Sequence, residues 1–411
     1  MNKENNDIAL FKKTISSMVI RKISYYRVIV SLCLFMFLLS PVFGDEISAV
    51  SFDKELPENN IVTIQPDSLR ILHNPLTGWV LYASMGVDAA DFWAQYDHMY
   101  IPELGHNVSV TDYAHTLYIR ASWTDFNPQE DVYGWKIDSN LRAYIEGAYQ
   151  RNMRLAFRVV VDSRDKRTEF TPQFVKDAGA KGFMNKGKWS PYSDDRVFQK
   201  YYTKFVKALA KDFNDPSKVE FIDGFGLGKW GEYHTMIYST GDDTPKKAVF
   251  DWVTDIYSQA FDKVPVVINY HRWIGAGKDW VDDEHFAADS EEMLEEAIKK
   301  GYSLRHDAFG MTTYYGSWER RFAKKYRNIC PIIMEGGWIV KSHSYWQDPR
   351  GYRKDSHEDV RRGEFDDSKE AHVNMMDFRF GDTEFWFKDA FDLLRRFLRE
   401  GGYRLYPSEI S

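Results

Sequence analysis

The sequence predicts an α/β protein built as a (β/α)8 TIM barrel. Three observations carry that reading. Eight short apolar runs alternate with segments of helical pattern along most of the chain. The runs are continuous rather than alternating, as expected of parallel strands covered on both faces. No glycine-rich phosphate loop follows the first run, which disfavours an open doubly wound sheet, the alternative architecture.

The elements follow in order. Residues 45–70 are polar and read as a linker or a first edge strand. The first predicted strand is Gly78–Ala83 and the second Thr116–Ala121, each an apolar run of six residues. A helical pattern over Ser139–Arg151 leads to the third strand, Arg154–Val161. The pattern over Arg196–Phe213 leads to the fourth, Val219–Gly226. Ala248–Phe261 precedes the fifth, Val264–Tyr270, and Ser290–Lys300 precedes the sixth, Ser303–Gly310. Ile329–Gly336 is the seventh strand, Asp367–His372 a further helical stretch, and Val373–Phe380 the eighth strand. The barrel domain therefore spans 71–405, and 406–411 is a tail.

The N-terminus has its own character. Residues 28–43 form an apolar run behind Arg21, Lys22 and Arg27, and Val42 and Gly44 sit at −3 and −1 of a cut before Asp45. Basic region, apolar region and small-residue site together read as a secretory signal peptide over 1–44, with Met18 as an alternative start. The run is shorter than the roughly 20 residues of a spanning helix, so cleavage is favoured over an uncleaved anchor. A lipoprotein anchor is disfavoured because Leu32 precedes Cys33. The expected location is secreted or periplasmic, with no stable membrane insertion once the leader is removed.

Composition excludes several function classes. The chain has two cysteines, one of them in the leader, so Cys330 has no partner in the mature chain and no disulfide scaffold is expected. Net charge is −7, and the first 44 residues are basic, leaving a remainder near −11. So acidic a surface argues against nucleic acid as a partner. Eleven histidines are present, but none falls in His-Glu-x-x-His, so neither a metal nor any cofactor is expected. Aromatics reach 16%, which suits either an aromatic core or platforms for stacking sugar rings.

In a barrel of this kind the active site lies at the C-terminal ends of the strands, so the residues that close each run are the candidates. Two carboxylates stand out: Glu232 after the fourth strand and Glu335 ending the seventh, each with Gly and Trp beside it. Strands four and seven lie on different sides of a barrel, and residues at their ends can converge over its mouth. A pair of carboxyl groups across one glycosidic bond is what sugar hydrolysis needs: one to protonate the leaving oxygen, one to attack or to activate water. The plain alternative is that each Glu pairs with a rim cation such as Lys229 or Arg272. The remaining candidates for substrate contact are Arg120, Trp123, Trp230, His234, Asn269, His271, Trp273, Asp307, Tyr314 or its neighbour Tyr315, and Trp338. Arg120 is expected beside Glu335, keeping it ionised. The tryptophans serve equally well as core, and Arg305 offers Asp307 a plain ion pair.

The layout resembles glycoside hydrolase clan A, whose retaining members place the acid/base at the end of strand four and the nucleophile at the end of strand seven. The resemblance implies that Glu232 is the acid/base and Glu335 the nucleophile. The segment from Ile119-Arg120-Ala-Ser-Trp123 through Asn127-Pro128 to Tyr133-Gly134-Trp135 resembles the strand-two signature of family 42-type β-galactosidases. Asn74-Pro75, Gly78-Trp79, Trp230-Gly-Glu232-Tyr-His234 and Gly402-Tyr-Arg404 resemble a secreted bacterial family of unknown function, whose members pair a barrel with a C-terminal β-sandwich. Three departures stand out. Gly231 occupies the place of the asparagine that binds the sugar 2-hydroxyl in clan A, Asn127-Pro128 stands where relatives have Glu-Pro, and the chain ends where the sandwich would begin.

Two functions of different class follow. One is a secreted retaining glycoside hydrolase acting on a polysaccharide or glycan. The other is a non-catalytic carbohydrate-binding barrel; a barrel hydrolase with a substrate other than a sugar is a third. A carboxylate gap of about 5–5.5 Å fits retention and about 6.5–9.5 Å inversion, whereas a salt bridge burying either Glu favours the binding protein.

Overall fold

The computed structural model describes residues 62–65, 69–164, 168–277, 284–311, 314–337, 357–378, 382–401 and 409–410, with Asp67, Lys166, Leu405 and Pro407. The predicted leader, Trp338 and Gly402-Tyr-Arg404 lie outside the described residues. Two compact units are distinguished: one is Met1–Thr63 with Glu409–Ser411, the other Ile64–Ser408. In the first, Val62–Thr63 pairs antiparallel with Glu409–Ile410, so part of the expected linker and tail is strand.

The second unit is a closed barrel of eight parallel strands. They are β1 (Gly78–Tyr82), β2 (Ala114–Ser122), β3 (Arg154–Val160), β4 (Val219–Asp223), β5 (Val266–Asn269), β6 (Ser303–Phe309), β7 (Ile332–Gly336) and β8 (Met375–Phe378). Their order round the barrel is the order in the chain, and β8 closes on β1 through Met375 opposite Gly78. All eight predicted strands are present. Each is largely apolar because one face meets the barrel interior and the other the helices.

The outer layer contains α1 (Ala89–Asp97), α2 (Ser139–Gln150), α3 (Arg196–Phe213), α4 (Lys246–Ala260), α5 (Glu284–Lys299), α6 (Ser317–Tyr326), α7 (His357–Ala371), α8 (Asp382–Asp389) and α9 (Phe391–Glu400). The α3 helix shows how local chemistry sets these bounds. Asp195 caps it, accepting from the backbone N–H of Val197 and Phe198 at 3.0 and 2.9 Å. Phe198, Tyr202, Phe205, Val206, Leu209 and Phe213 recur at helical spacing and are buried. Among the described residues, no helix is long and apolar enough to cross a membrane.

Two apolar clusters result. The larger fills the space between strands and helices and takes up much of the aromatic content, including Trp79, Trp123 and Trp386, all fully buried. The smaller lies inside the barrel: Val80, Tyr82, Tyr118, Ala156, Phe221, Val267, Ile333 and Met375. Side chains alternate across a strand, so the residues two positions further on also face inward. Those are Arg120, Arg158, Asp223, Asn269 and Glu335, with Arg305 and Asp307 on β6. The barrel interior is thus apolar in its lower layer and charged towards the C-terminal ends of the strands.

Candidate active site

The charged layer is a connected network. Arg158 of β3 is fully buried at its centre. Its Nε donates to Asp223 Oδ2 at 2.7 Å, its Nη1 to Glu232 Oε1 at 3.1 Å, and its Nη2 lies 3.6 Å from Glu335 Oε2. Arg305 of β6, also fully buried, donates from Nη2 to Glu335 Oε2 at 2.6 Å, and its Nε lies 3.6 Å from Asp223 Oδ2. The Tyr118 hydroxyl donates to Asp223 as well. Glu232 and Glu335, from opposite stretches of the barrel wall, therefore meet on the two terminal nitrogens of one guanidinium. The nearest oxygens of the pair fall within the roughly 9.5 Å that carboxyl pairs across a glycosidic bond span.

The loop after β4 carries Glu232 and is unusually strained. Gly226, Gly228 and Gly231 have φ of +68°, +74° and +76°, and so do the non-glycine residues Trp230, Tyr233 and Thr235 at +59°, +61° and +48°. The left-handed region costs an L-residue about 1–2 kcal/mol, and such outliers concentrate where a site over-determines its backbone. At Gly226 a Cβ would come within 2.1 Å of the Val159 carbonyl oxygen, so the chain can turn there only with glycine.

Around Glu232 the partners are specific. Arg120 Nη2 lies 3.7 Å from Oε1 and donates to the Trp230 carbonyl at 2.7 Å, while its Nη1 reaches the Tyr82 hydroxyl at 3.4 Å. His234 Nε2 lies 3.3 Å from Oε2. His271 accepts the Trp273 N–H on Nδ1 at 3.1 Å, which leaves its protonated Nε2 to donate to the Glu232 carbonyl at 2.8 Å. Asp307 of β6 is a charged neighbour of Glu232. Burial, and after it the Asp307 charge, raise the Glu232 carboxyl to about 7, against the pull of His234 and Arg120. Burial pushes Asp307 up, but its interaction with Glu232 and the charges around it, Arg158 among them, hold it below the ordinary carboxylate range.

Several expectations are corrected by these contacts. Arg120 lies nearest Glu232 and also feels the Glu335 charge, while Glu335 is held by Arg305 and Arg158. Arg305 pairs with Glu335 and not with Asp307. Neither proposed rim cation takes a catalytic candidate: Arg272 makes a two-oxygen contact with Glu319 at 2.9 Å, and Lys229 lies 4.2 Å over the Trp230 ring. Trp123 is no cleft residue. It opens a short helix behind β2 and packs edge-on to Phe198 and Tyr202, fully buried. Asn269 is also fully buried, as the inward position of β5, and its amide meets no hydrogen-bond partner among the described residues. Trp273 is buried beneath the Arg272 guanidinium at 3.9 Å. Tyr315 stacks on Phe309 at 4.2 Å, and Tyr314 is half-buried at the start of that turn.

The structure does bring Glu232, Glu335, Arg120, Trp230, His234, His271 and Asp307 together. Trp230 remains partly open, edge-on to His234 at 5.7 Å. Reading the strand ends missed Arg158, Asp223, Tyr118 and Tyr82. The signal for them was the period-two continuation of each apolar run into a polar residue. Among the described residues, no group of three His, Cys, Asp or Glu is placed to hold a metal ion.

No protein-family model matches the chain, and no curated protein matches it. Solved structures do resemble it. An exo-β-1,4-mannosidase from an Opitutaceae bacterium has a TM-score of 0.45 and 11% identity over 79% of this chain and 59% of its own. An endo-1,4-β-mannanase from Rhizomucor miehei has a TM-score of 0.45 and 10% identity over 75% and 87%. Endo-glycoceramidase II from Rhodococcus sp., solved as its lactosyl-enzyme intermediate, has a TM-score of 0.41 and 13% identity over 74% and 73%. Likenesses this distant carry no argument about activity. The fold rests on the barrel itself: eight parallel strands closed in chain order, with an acid–arginine network at their C-terminal ends.

Proposed function

We propose that the protein is a glycoside hydrolase with Glu232 as proton donor and Glu335 as nucleophile. One observation carries the reading: two glutamates from β4 and β7 converge on Arg158 in environments that push their chemistry apart. Glu232 holds its proton at about 7, as a general acid for a leaving oxygen must. Glu335 faces the guanidinium groups of Arg305 and Arg158, which favour the anion that attacks an anomeric carbon. Two displacements then retain configuration: Glu335 bonds the anomeric carbon as the glycosidic bond breaks and Glu232 protonates the leaving oxygen, and water, giving its proton to Glu232, then attacks that carbon and releases Glu335. Trp230, His234 and Arg120 border the same space and serve sugar contact. The basic–apolar leader supports export, so the substrate is a polysaccharide or glycan outside the cytoplasm.

One observation favours the second reading, a non-catalytic carbohydrate-binding barrel. Glu335 is 1% exposed and its Oε2 is held at 2.6 Å by Arg305, so a nucleophile must be reached past a salt bridge. The two readings separate in the mutants. With an activated leaving group, Glu232→Gln keeps its glycosylation step, whereas Glu335→Gln does not and regains turnover with added azide, giving inverted product. Wild-type rates in both mutants would discard the two-carboxylate assignment.

A further inference from the structure

We propose that His271 is a positioning residue for Glu232: its ring clamps the backbone carbonyl of the proton donor from the neighbouring loop, spending both ring nitrogens on the protein rather than on a sugar hydroxyl. The inference rests on the reading of Glu232 as proton donor, although the clamp itself does not depend on which bond is cleaved.

A neutral imidazole has one hydrogen-bond donor and one acceptor, and here both are used. His271 is buried, and its Nδ1 accepts the Trp273 backbone N–H at 3.1 Å, which requires an unprotonated Nδ1. The ring hydrogen is therefore on Nε2, which donates to the Glu232 carbonyl at 2.8 Å. Neither nitrogen is left for a sugar hydroxyl. The histidine that the sequence placed among the substrate contacts acts through Glu232 instead.

The loop after β4 needs such a hold. Glu232 follows the short helical turn Lys229–Gly231, in which Trp230 and Gly231 are left-handed, and Tyr233 beyond it is left-handed again. Backbone of this kind persists only where its surroundings over-determine it. The loop after β5 supplies those surroundings. The Gly275 N–H donates to the Tyr233 carbonyl at 2.8 Å, and the Met236 N–H to the Ala276 carbonyl at 2.9 Å. At Glu232 itself the His271 side chain makes the link. His271 is fixed in turn through its neighbour. Arg272 donates from its backbone N–H to Glu319 Oε1 at 3.3 Å and from Nη1 to both Glu319 oxygens at 2.9 Å. Glu319 is fully buried and accepts the Gly316 N–H at 2.9 Å, at the start of α6. A chain of contacts thus runs from α6 through the loop after β5 to the carbonyl of Glu232. Without the Nε2 donor the Glu232–Tyr233 peptide is free to turn, which carries the carboxyl away from the leaving oxygen.

The test compares kcat/KM, which reports glycosylation, on paired methyl and dinitrophenyl glycosides of glucose, galactose, mannose and xylose, using the sugar that the wild type cleaves. The methyl glycoside needs its leaving oxygen protonated and the dinitrophenyl glycoside does not. His271→Asn brings an oxygen to the place of Nδ1 but does not reach the Glu232 carbonyl. His271→Gln brings an amide donor as far as Nε2. His271→Leu offers neither, and stands in should the asparagine variant misfold. His271→Asn is expected to lower kcat/KM by about 10–100-fold on the methyl glycoside, the scale of a misplaced catalytic group, and by less than about threefold on the dinitrophenyl glycoside. His271→Gln recovers most of that loss. An equal loss on both substrates in a folded variant would overturn the inference, because a sugar contact or a merely structural histidine produces that pattern. Nitrogen NMR of the full chain labelled at histidine is the second readout. A ring protonated on Nε2 is expected, its signal absent in His271→Gln, and protonation on Nδ1 would overturn the clamp. The Nε2-protonated ring in a protein that cleaves no glycoside would keep the clamp and discard the hydrolase reading instead.

Discussion

Replacing Arg158 with methionine takes one guanidinium out of three ion pairs while leaving most of the space filled. Arg158 is fully buried, so no water replaces it. Each carboxylate keeps at least one other partner. Asp223 retains the Tyr118 hydroxyl and Arg305 at 3.6 Å, Glu335 retains Arg305 at 2.6 Å, and Glu232 retains His234 at 3.3 Å and Arg120 at 3.7 Å. Removing one partner of a buried pair costs about 3–5 kcal/mol, and the surviving contacts place this change at the lower end, about 3 kcal/mol. At roughly 2 °C per kcal/mol for a large domain, Tm falls by about 6 °C. Urea unfolding is the assay: the midpoint drops while the m-value stays unchanged. Adding Asp223→Asn to Arg158→Met costs less than the two single losses together, because the charge left unpaired is gone. A loss below about 1 kcal/mol, or strictly additive losses, would show that the arginine does not hold this network together.

Three further outcomes follow from the site. Because burial and Asp307 raise Glu232 from the ordinary 4.5 to about 7, the folded state binds more protons than the unfolded chain between those values. Stability from this group therefore falls as pH rises through that window. The urea midpoint of the wild type should drop from pH 5 to pH 7.5 relative to that of Glu232→Gln. Gly231→Ala places a side chain at φ +76° with its Cβ 3.3 Å from Val160 Cγ2, costing about 1–2 kcal/mol. It should cut kcat far more than stability, since it displaces the adjacent Glu232. Trp230→Ala, at the partly open ring, should raise KM by roughly 2–10-fold at nearly constant kcat, the scale of one stacking contact.

How much of this was legible follows from where each signal resides. The eight strands were readable because burial on both faces turns each into an apolar run. The bounds of α3 emerged intact because Asp195 caps it and Phe213 ends its apolar stripe. The α1, α6 and α9 helices went unread, since they are short and mix charges with their apolar residues. At the site, Glu232 and Glu335 were visible as polar residues closing a run. Arg158 and Asp223 were not, because they lie inside runs and look like interruptions until the strand's alternation aims them inward, and Arg305 was read only as a partner for Asp307. Trp123 misled for the opposite reason. It closes a run as a site residue would, yet the short helix it begins carries it back under α3, and only three-dimensional packing tells those fates apart.

The most direct test of the two-carboxylate assignment is reducing-sugar release from a panel of polysaccharides by wild-type protein and by Glu335→Gln, with binding to the same panel followed by affinity electrophoresis. The assignment predicts release from at least one polysaccharide by the wild type, none by Glu335→Gln, and binding retained in both. Binding by both proteins with no release by either would contradict it and establish the barrel as a carbohydrate-binding protein.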